Sequence, residues 1–138
     1  MTPPKTLPRA VLVLTGLGFI GFGLAYTLGP LPMARLTEIP LPTPSARINF
    51  AATYGGLQLG FGIFLLRCVA RPAWTEPGLW AATATLAGLG LVRAQSLATV
   101  GGAATQPIWV GLALELGCAL LNGIALWQLR RTPGWPAA

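Results

Sequence analysis

Four runs of apolar residues, each about as long as a membrane helix, fill most of this chain, and short polar or proline-bearing stretches separate them. The first goes from Ala10 to Gly29, the second from about Arg47 to Val69, the third from about Gly78 to Val100. The fourth starts behind Pro107 and ends at Leu129. About 20 apolar residues cross the hydrocarbon core of a bilayer as a helix, so the pattern predicts four spans. With every connection short, the expected fold is an all-α integral membrane four-helix bundle, up-down-up-down, in a single domain over residues 1–138. Residues 30–46 form a proline-rich outer loop. Pro30, Pro32, Pro40, Pro42 and Pro44 exclude a regular helix there, and the expected structure is an ordered extended cap. The first run opens as a signal peptide does, but it is longer than the usual apolar core and no small-x-small cleavage site closes it. It therefore reads as a retained span.

Composition agrees with lipid as the solvent. The chain is 54% apolar and 9% charged, against about 25% charged residues in soluble domains. Its net charge of +6 is distributed at span ends. Lys5, Arg9, Arg67, Arg71, Arg130 and Arg131 fall on the side of both termini, and only Arg35 and Arg47 on the other. That asymmetry predicts cytoplasmic termini and assigns the cations to orientation rather than to nucleic acid. Trp74, Trp80, Trp109, Trp127 and Trp135 lie near predicted span ends, where amphipathic rings favour the interface. Histidine is absent, which removes the commonest general base and metal ligand. Nothing in the spacing calls for a metal or a cofactor. Cys68 and Cys118 are expected as small apolar packing residues without a disulfide.

Gly16, Gly18 and Gly21 spell GxGxxG, but dinucleotide binding needs a preceding strand and a following helix start. Here the glycines lie inside one apolar run, so they read as a packing face. Gly56/Gly60, Ala84/Gly88, Ala113/Gly117 and Ala119/Gly123 repeat small residues four apart. Such pairs let membrane helices approach closely, and these are the expected packing contacts.

Charge inside a span is costly and is usually turned inward to a partner. Arg93 and Glu115 lie eight residues from Gly101 and Pro107, the ends of the third and fourth runs. At 1.5 Å per residue their depths match, about 12 Å, which predicts an ion pair. Arg47, Tyr54 and Gln58 stack on one helical face at i, i+7 and i+11. Glu115 shares a face with Cys118 and Asn122, and Ser96 is one turn from Arg93. Arg47, Tyr54, Gln58, Arg93, Ser96, Glu115 and Asn122 are therefore expected to form one buried polar cluster, open outward under the proline-rich loop.

The stretch from Ala46-Arg47-Ile48-Asn49-Phe50 through Tyr54-Gly55-Gly56-Leu57-Gln58-Leu59-Gly60-Phe61-Gly62 resembles a family of small bacterial membrane proteins catalogued as domain of unknown function 4345. So do Gly90-Leu91-Val92-Arg93 with Ser96, and Pro107 through Ala113-Leu114-Glu115-Leu116. The resemblance covers nearly the whole chain. It implies four spans in the bacterial plasma membrane and an arginine-then-glutamate arrangement in the last two. An acidic residue is expected just before the second-span arginine, where this chain has Pro44, Ser45 and Ala46. The resemblance supplies no reaction.

The favoured function is a non-enzymatic bundle that binds a small or lipidic ligand, or stabilises a larger membrane complex. A small dimeric transporter is one alternative, although the first span carries no charge. A membrane enzyme using Glu115 and Arg93, with Tyr54 assisting, is the other. Membrane lipids are the expected partners, with a second copy or a larger complex in view and no nucleic acid.

Overall fold

The computed structural model describes residues 6–100 and 104–131, so Lys5, most of the loop after Val100 and the tail with Trp135 lie outside the described residues. Among the described residues the chain is all-α, with no strand. Helix α1 covers Thr6–Leu28, α2 Pro30–Leu36 and α3 Pro44–Phe50. A π-helical turn, Ala51–Gly56, joins α3 to α4, Leu57–Ala70, in one continuous rod. A single 3-10 turn, Pro72–Trp74, leads into α5, Thr75–Val100, and α6 is Gln106–Arg130. Three of the rods are long and apolar enough to cross a membrane: Thr6–Leu28, Pro44–Ala70 and Gln106–Arg130. Helix α5 is as long at 26 residues but more polar, with Thr83, Thr85, Arg93, Gln95 and Ser96 along it.

Prolines set the helix starts. Pro30, Pro44, Pro72 and Pro107 each stand in a first helical turn, where the missing N–H has no intrahelical partner to lose. This corrects the expectation for residues 30–46. Pro30 and Pro32 both fall in the first turn of α2, so they open a helix of 7 residues instead of excluding one. That helix ends in a left-handed residue, Glu38 at φ 58. Thr43 then caps α3, its hydroxyl accepting the Ala46 N–H at 3.1 Å.

Sequential rods run antiparallel. On α1, Gly16 faces Gly62 of α4 and Gly23 faces Gly55, seven residues apart on each helix. A Cβ on Gly62 would stand 2.7 Å from the Gly16 carbonyl, and one on Gly23 would stand 2.8 Å from the Leu59 N. These glycines therefore bring the two backbones into contact. On α5, Gly90 makes room for the Leu116 side chain of α6, and Gly78 for the side chains of Cys68 and Leu12. The pairs expected to pack are mostly elsewhere. A Cβ on Gly56, Gly60, Gly88 or Gly117 would meet nothing, and Ala84 and Ala113 are exposed. Of the expected pairs, Ala119/Gly123 alone is turned inward: Ala119 is buried and Gly123 lies beside Thr83. Glycines two residues apart, such as Gly16/Gly18 and Gly60/Gly62, differ by about 200° around the helix, and only the partner backbone selects which face packs.

The core near the chain ends is apolar: Leu12, Leu65, Cys68, Leu79, Ala82, Ala125, Leu126 and Leu129. A smaller cluster at the opposite end joins Tyr26, Ala34 and Phe50 to Met33, Ile39 and Leu41 of the proline-rich segment. Between them Asn122, fully buried, donates from Nδ2 to Thr15 Oγ1 and to the Cys118 carbonyl, both at 2.9 Å, and so ties α6 to α1. Thr15→Val should cost about 1 kcal/mol, as interhelical hydrogen bonds in lipid do, read as a lower unfolding midpoint in mixed micelles.

Candidate functional site

Arg93 of α5 donates from Nε to Glu115 Oε2 at 2.8 Å and from Nη2 to Oε1 at 2.5 Å. This is a two-point, in-plane pairing of guanidinium and carboxylate. Arg93 stands seven residues before the end of α5 at Val100 and Glu115 nine residues after Gln106. Both are about 10–13 Å from their helix ends. The pair is asymmetric in access, with the Arg93 side chain 32% exposed and that of Glu115 14%.

Two glycines make the pairing possible. Gly90, one turn before Arg93, brings α6 against α5 at Leu116. Gly111, one turn before Glu115, leaves the space through which the guanidinium passes. A Cβ there would lie 3.3 Å from Arg93 Cζ. Neither glycine is legible as a site residue in the sequence, which shows no partner for it.

An aromatic group from α1, α3 and the π turn lies at the end of the bundle remote from the chain ends. Tyr26 and Tyr54 have ring centroids 5.7 Å apart, Tyr26 and Phe50 5.4 Å, and Phe50 and Tyr54 4.8 Å. Tyr26 is buried and Tyr54 is 41% exposed. In the π turn the Leu57 N–H bonds to the Ala52 carbonyl, five residues back. That register sets Gly55 against Gly23 and Thr27 while Tyr54 points to Tyr26. Turns of this kind recur at functional sites.

The other expected members are dispersed. The widened turn breaks the 3.6-residue period that stacked Arg47 above Tyr54 and Gln58, and Arg47 is exposed. Arg47 and Gln58 make no side-chain hydrogen bond or ion pair among the described residues. Ser96 is exposed, its carbonyl receiving the Thr99 hydroxyl at 3.4 Å. Asn122 lies two turns beyond Glu115 and is engaged with Thr15. The site therefore consists of Arg93, Glu115 and Tyr54 from the expected set, with Tyr26, Phe50 and Gly111 added.

The proline-rich segment reaches over this end of the molecule. Thr105, just before α6, donates to Glu38 Oε2 at 3.3 Å, and Ile39 and Leu41 pack against the Tyr26–Phe50 cluster.

A family model described as domain of unknown function (DUF4345) matches residues 7–126. The chain belongs to the DUF4345 family. That span includes each segment that carried the resemblance, from Ala46 to Leu116, and the Arg93–Glu115 pair within it. The family carries no assigned activity, so its membership defines the fold's kin and leaves chemistry to the site itself. No curated protein and no solved structure matches the chain.

Proposed function

We propose that this DUF4345 protein is a four-span, up-down-up-down bundle of the bacterial plasma membrane, both termini cytoplasmic, that binds a lipid-soluble ligand by its polar head. The ligand enters the outer half beside Arg93, Tyr54 and Tyr26, under the proline-rich segment. Helix α5 supplies the fourth span, since its 26 residues match the other rods in length and Arg93, the cation within it, is paired with Glu115 of α6.

One observation carries the reading. Arg93 is held rigidly by Glu115 through Nε and Nη2, yet no other described group accepts from the rest of its fork. A fixed, partly exposed guanidinium with free N–H groups suits an oxygen-bearing head whose apolar body lies between helices. The apolar core at the opposite end favours binding over passage across the membrane. With Glu115 committed to Arg93 and no second ionisable side chain hydrogen-bonded to either, binding is also favoured over catalysis.

Native mass spectrometry of the protein released from its membrane in mild detergent tests this. The wild type is expected to retain an amphipathic adduct, and the Arg93→Gln/Glu115→Gln double variant to lose it while keeping helix content and melting temperature. Tyr54→Ala should weaken retention by roughly 2- to 13-fold, the factor of about 0.5–1.5 kcal/mol for one aromatic contact. An adduct retained undiminished by the double variant would make the pair a structural lock and overturn the reading.

A further inference from the structure

At the end of the bundle remote from Arg93, arginines and tryptophans alternate in space. Arg71 lies over the Trp74 ring at 5.4 Å, Arg130 over Trp80 at 5.3 Å, and Arg131 over Trp127 at 3.8 Å. All are within the range in which a guanidinium is attracted to a ring face. Arg130 also donates from Nε to Glu76 Oε1 at 2.7 Å, which joins the start of α5 to the end of α6.

The carboxylates of the chain decide which arginines remain open. Its three acidic side chains are Glu38, Glu76 and Glu115. Glu115 is taken by Arg93, Glu76 by Arg130, and Glu38 is at the opposite end with Thr105. Among the described residues Arg71 and Arg131 therefore have no carboxylate partner, and each guanidinium lies over a tryptophan ring. A guanidinium that meets a ring by its face keeps its N–H groups available for phosphate oxygens. Trp74 and Trp127 are 45% and 53% exposed, with flat apolar surface beside each fork. This combination matches an anionic phospholipid: phosphate at the arginine edge, glycerol and acyl chain along the indole.

We infer that Arg71 with Trp74 and Arg131 with Trp127 form two binding sites for anionic phospholipid headgroups at the cytoplasmic membrane surface. The inference rests on the membrane-spanning reading above but not on the outer ligand site. Arg130, neutralised by Glu76, is a clasp between α5 and α6 and takes no lipid. Arg67 is exposed on the same end without a ring partner and serves as the internal control.

The test is native mass spectrometry of the full chain from nanodiscs of phosphatidylcholine mixed with phosphatidylglycerol, counting the lipids kept. Wild type is expected to enrich phosphatidylglycerol, and Arg71→Gln and Arg131→Gln each to reduce that enrichment about fivefold, the factor for one basic residue at an anionic leaflet. Trp127→Leu should reduce it in the same direction as Arg131→Gln, whereas Arg67→Gln should change it less than twofold. Unchanged enrichment in the Arg71→Gln/Arg131→Gln double variant would overturn the proposal, as would an equal loss in Arg67→Gln. Inorganic phosphate competing away the enrichment at equal concentration would assign the forks to a soluble anion and overturn it too. A protein that does not enter the nanodisc at all defeats the membrane-spanning reading. One that enters without preference defeats this inference alone.

Discussion

Replacing Arg93 with leucine is expected to lower stability in mixed micelles by about 2.5–3.5 kcal/mol, the range for stranding a charge within a membrane helix. The carboxylate left behind is 14% exposed and faces α5 across the space opened by Gly90 and Gly111. Its short side chain holds it there, and no other described group donates to it. Glu115→Leu should cost less, about 1–2 kcal/mol, because Arg93 is 32% exposed and its long stem can carry the guanidinium towards the interface. The Arg93→Gln/Glu115→Gln double variant keeps complementary hydrogen-bonding groups without net charge and should fall within about 1 kcal/mol of wild type. The comparison is a double-mutant cycle in equilibrium unfolding. Equal, small effects of both single changes would mean that the pair is solvated and contributes little to the bundle.

The same pair marks how far the sequence could be read. Its existence followed from two charges at matching depth on runs joined by a short loop, because membrane burial leaves an ion few alternatives to a partner. Tyr26 and Gly111 left no comparable mark. A tyrosine near a span end reads as an interface anchor, and a glycine gains meaning only when the side chain passing it is known. The stacking expected of Arg47 on Tyr54 and Gln58 assumes a constant 3.6-residue period, which the π turn at Ala51–Gly56 interrupts. A shift of hydrogen bonding from four to five residues changes no residue type, so periodicity cannot reveal it. The helix Pro30–Leu36 was hidden for a related reason. Proline density counts against a helix only in positions beyond the first turn, and Pro30 and Pro32 are both inside it.

Glycine spacing is where sequence and structure part most sharply, and it yields the second large effect. Gly62→Ala is expected to destabilise by about 2–3 kcal/mol, the usual cost of overpacking a close interface. Its new Cβ would stand 2.7 Å from the Gly16 carbonyl and 2.9 Å from the Ile20 N, both backbone atoms that a rotamer change cannot move. Helices α1 and α4 would have to separate along the stretch that also holds Gly23 against Gly55. Gly60→Ala, two residues earlier, adds a methyl that meets nothing within 4 Å. It should be neutral or stabilise by up to about 1 kcal/mol through helix propensity. Thermal unfolding in one detergent reads both. The four-residue spacing of Gly56 and Gly60 predicts the opposite order of effects, so the two alanines distinguish packing by sequence motif from packing by the facing backbone. A larger loss at Gly60 than at Gly62 would mean that the α1–α4 contact is rotated by about half a turn from the arrangement described.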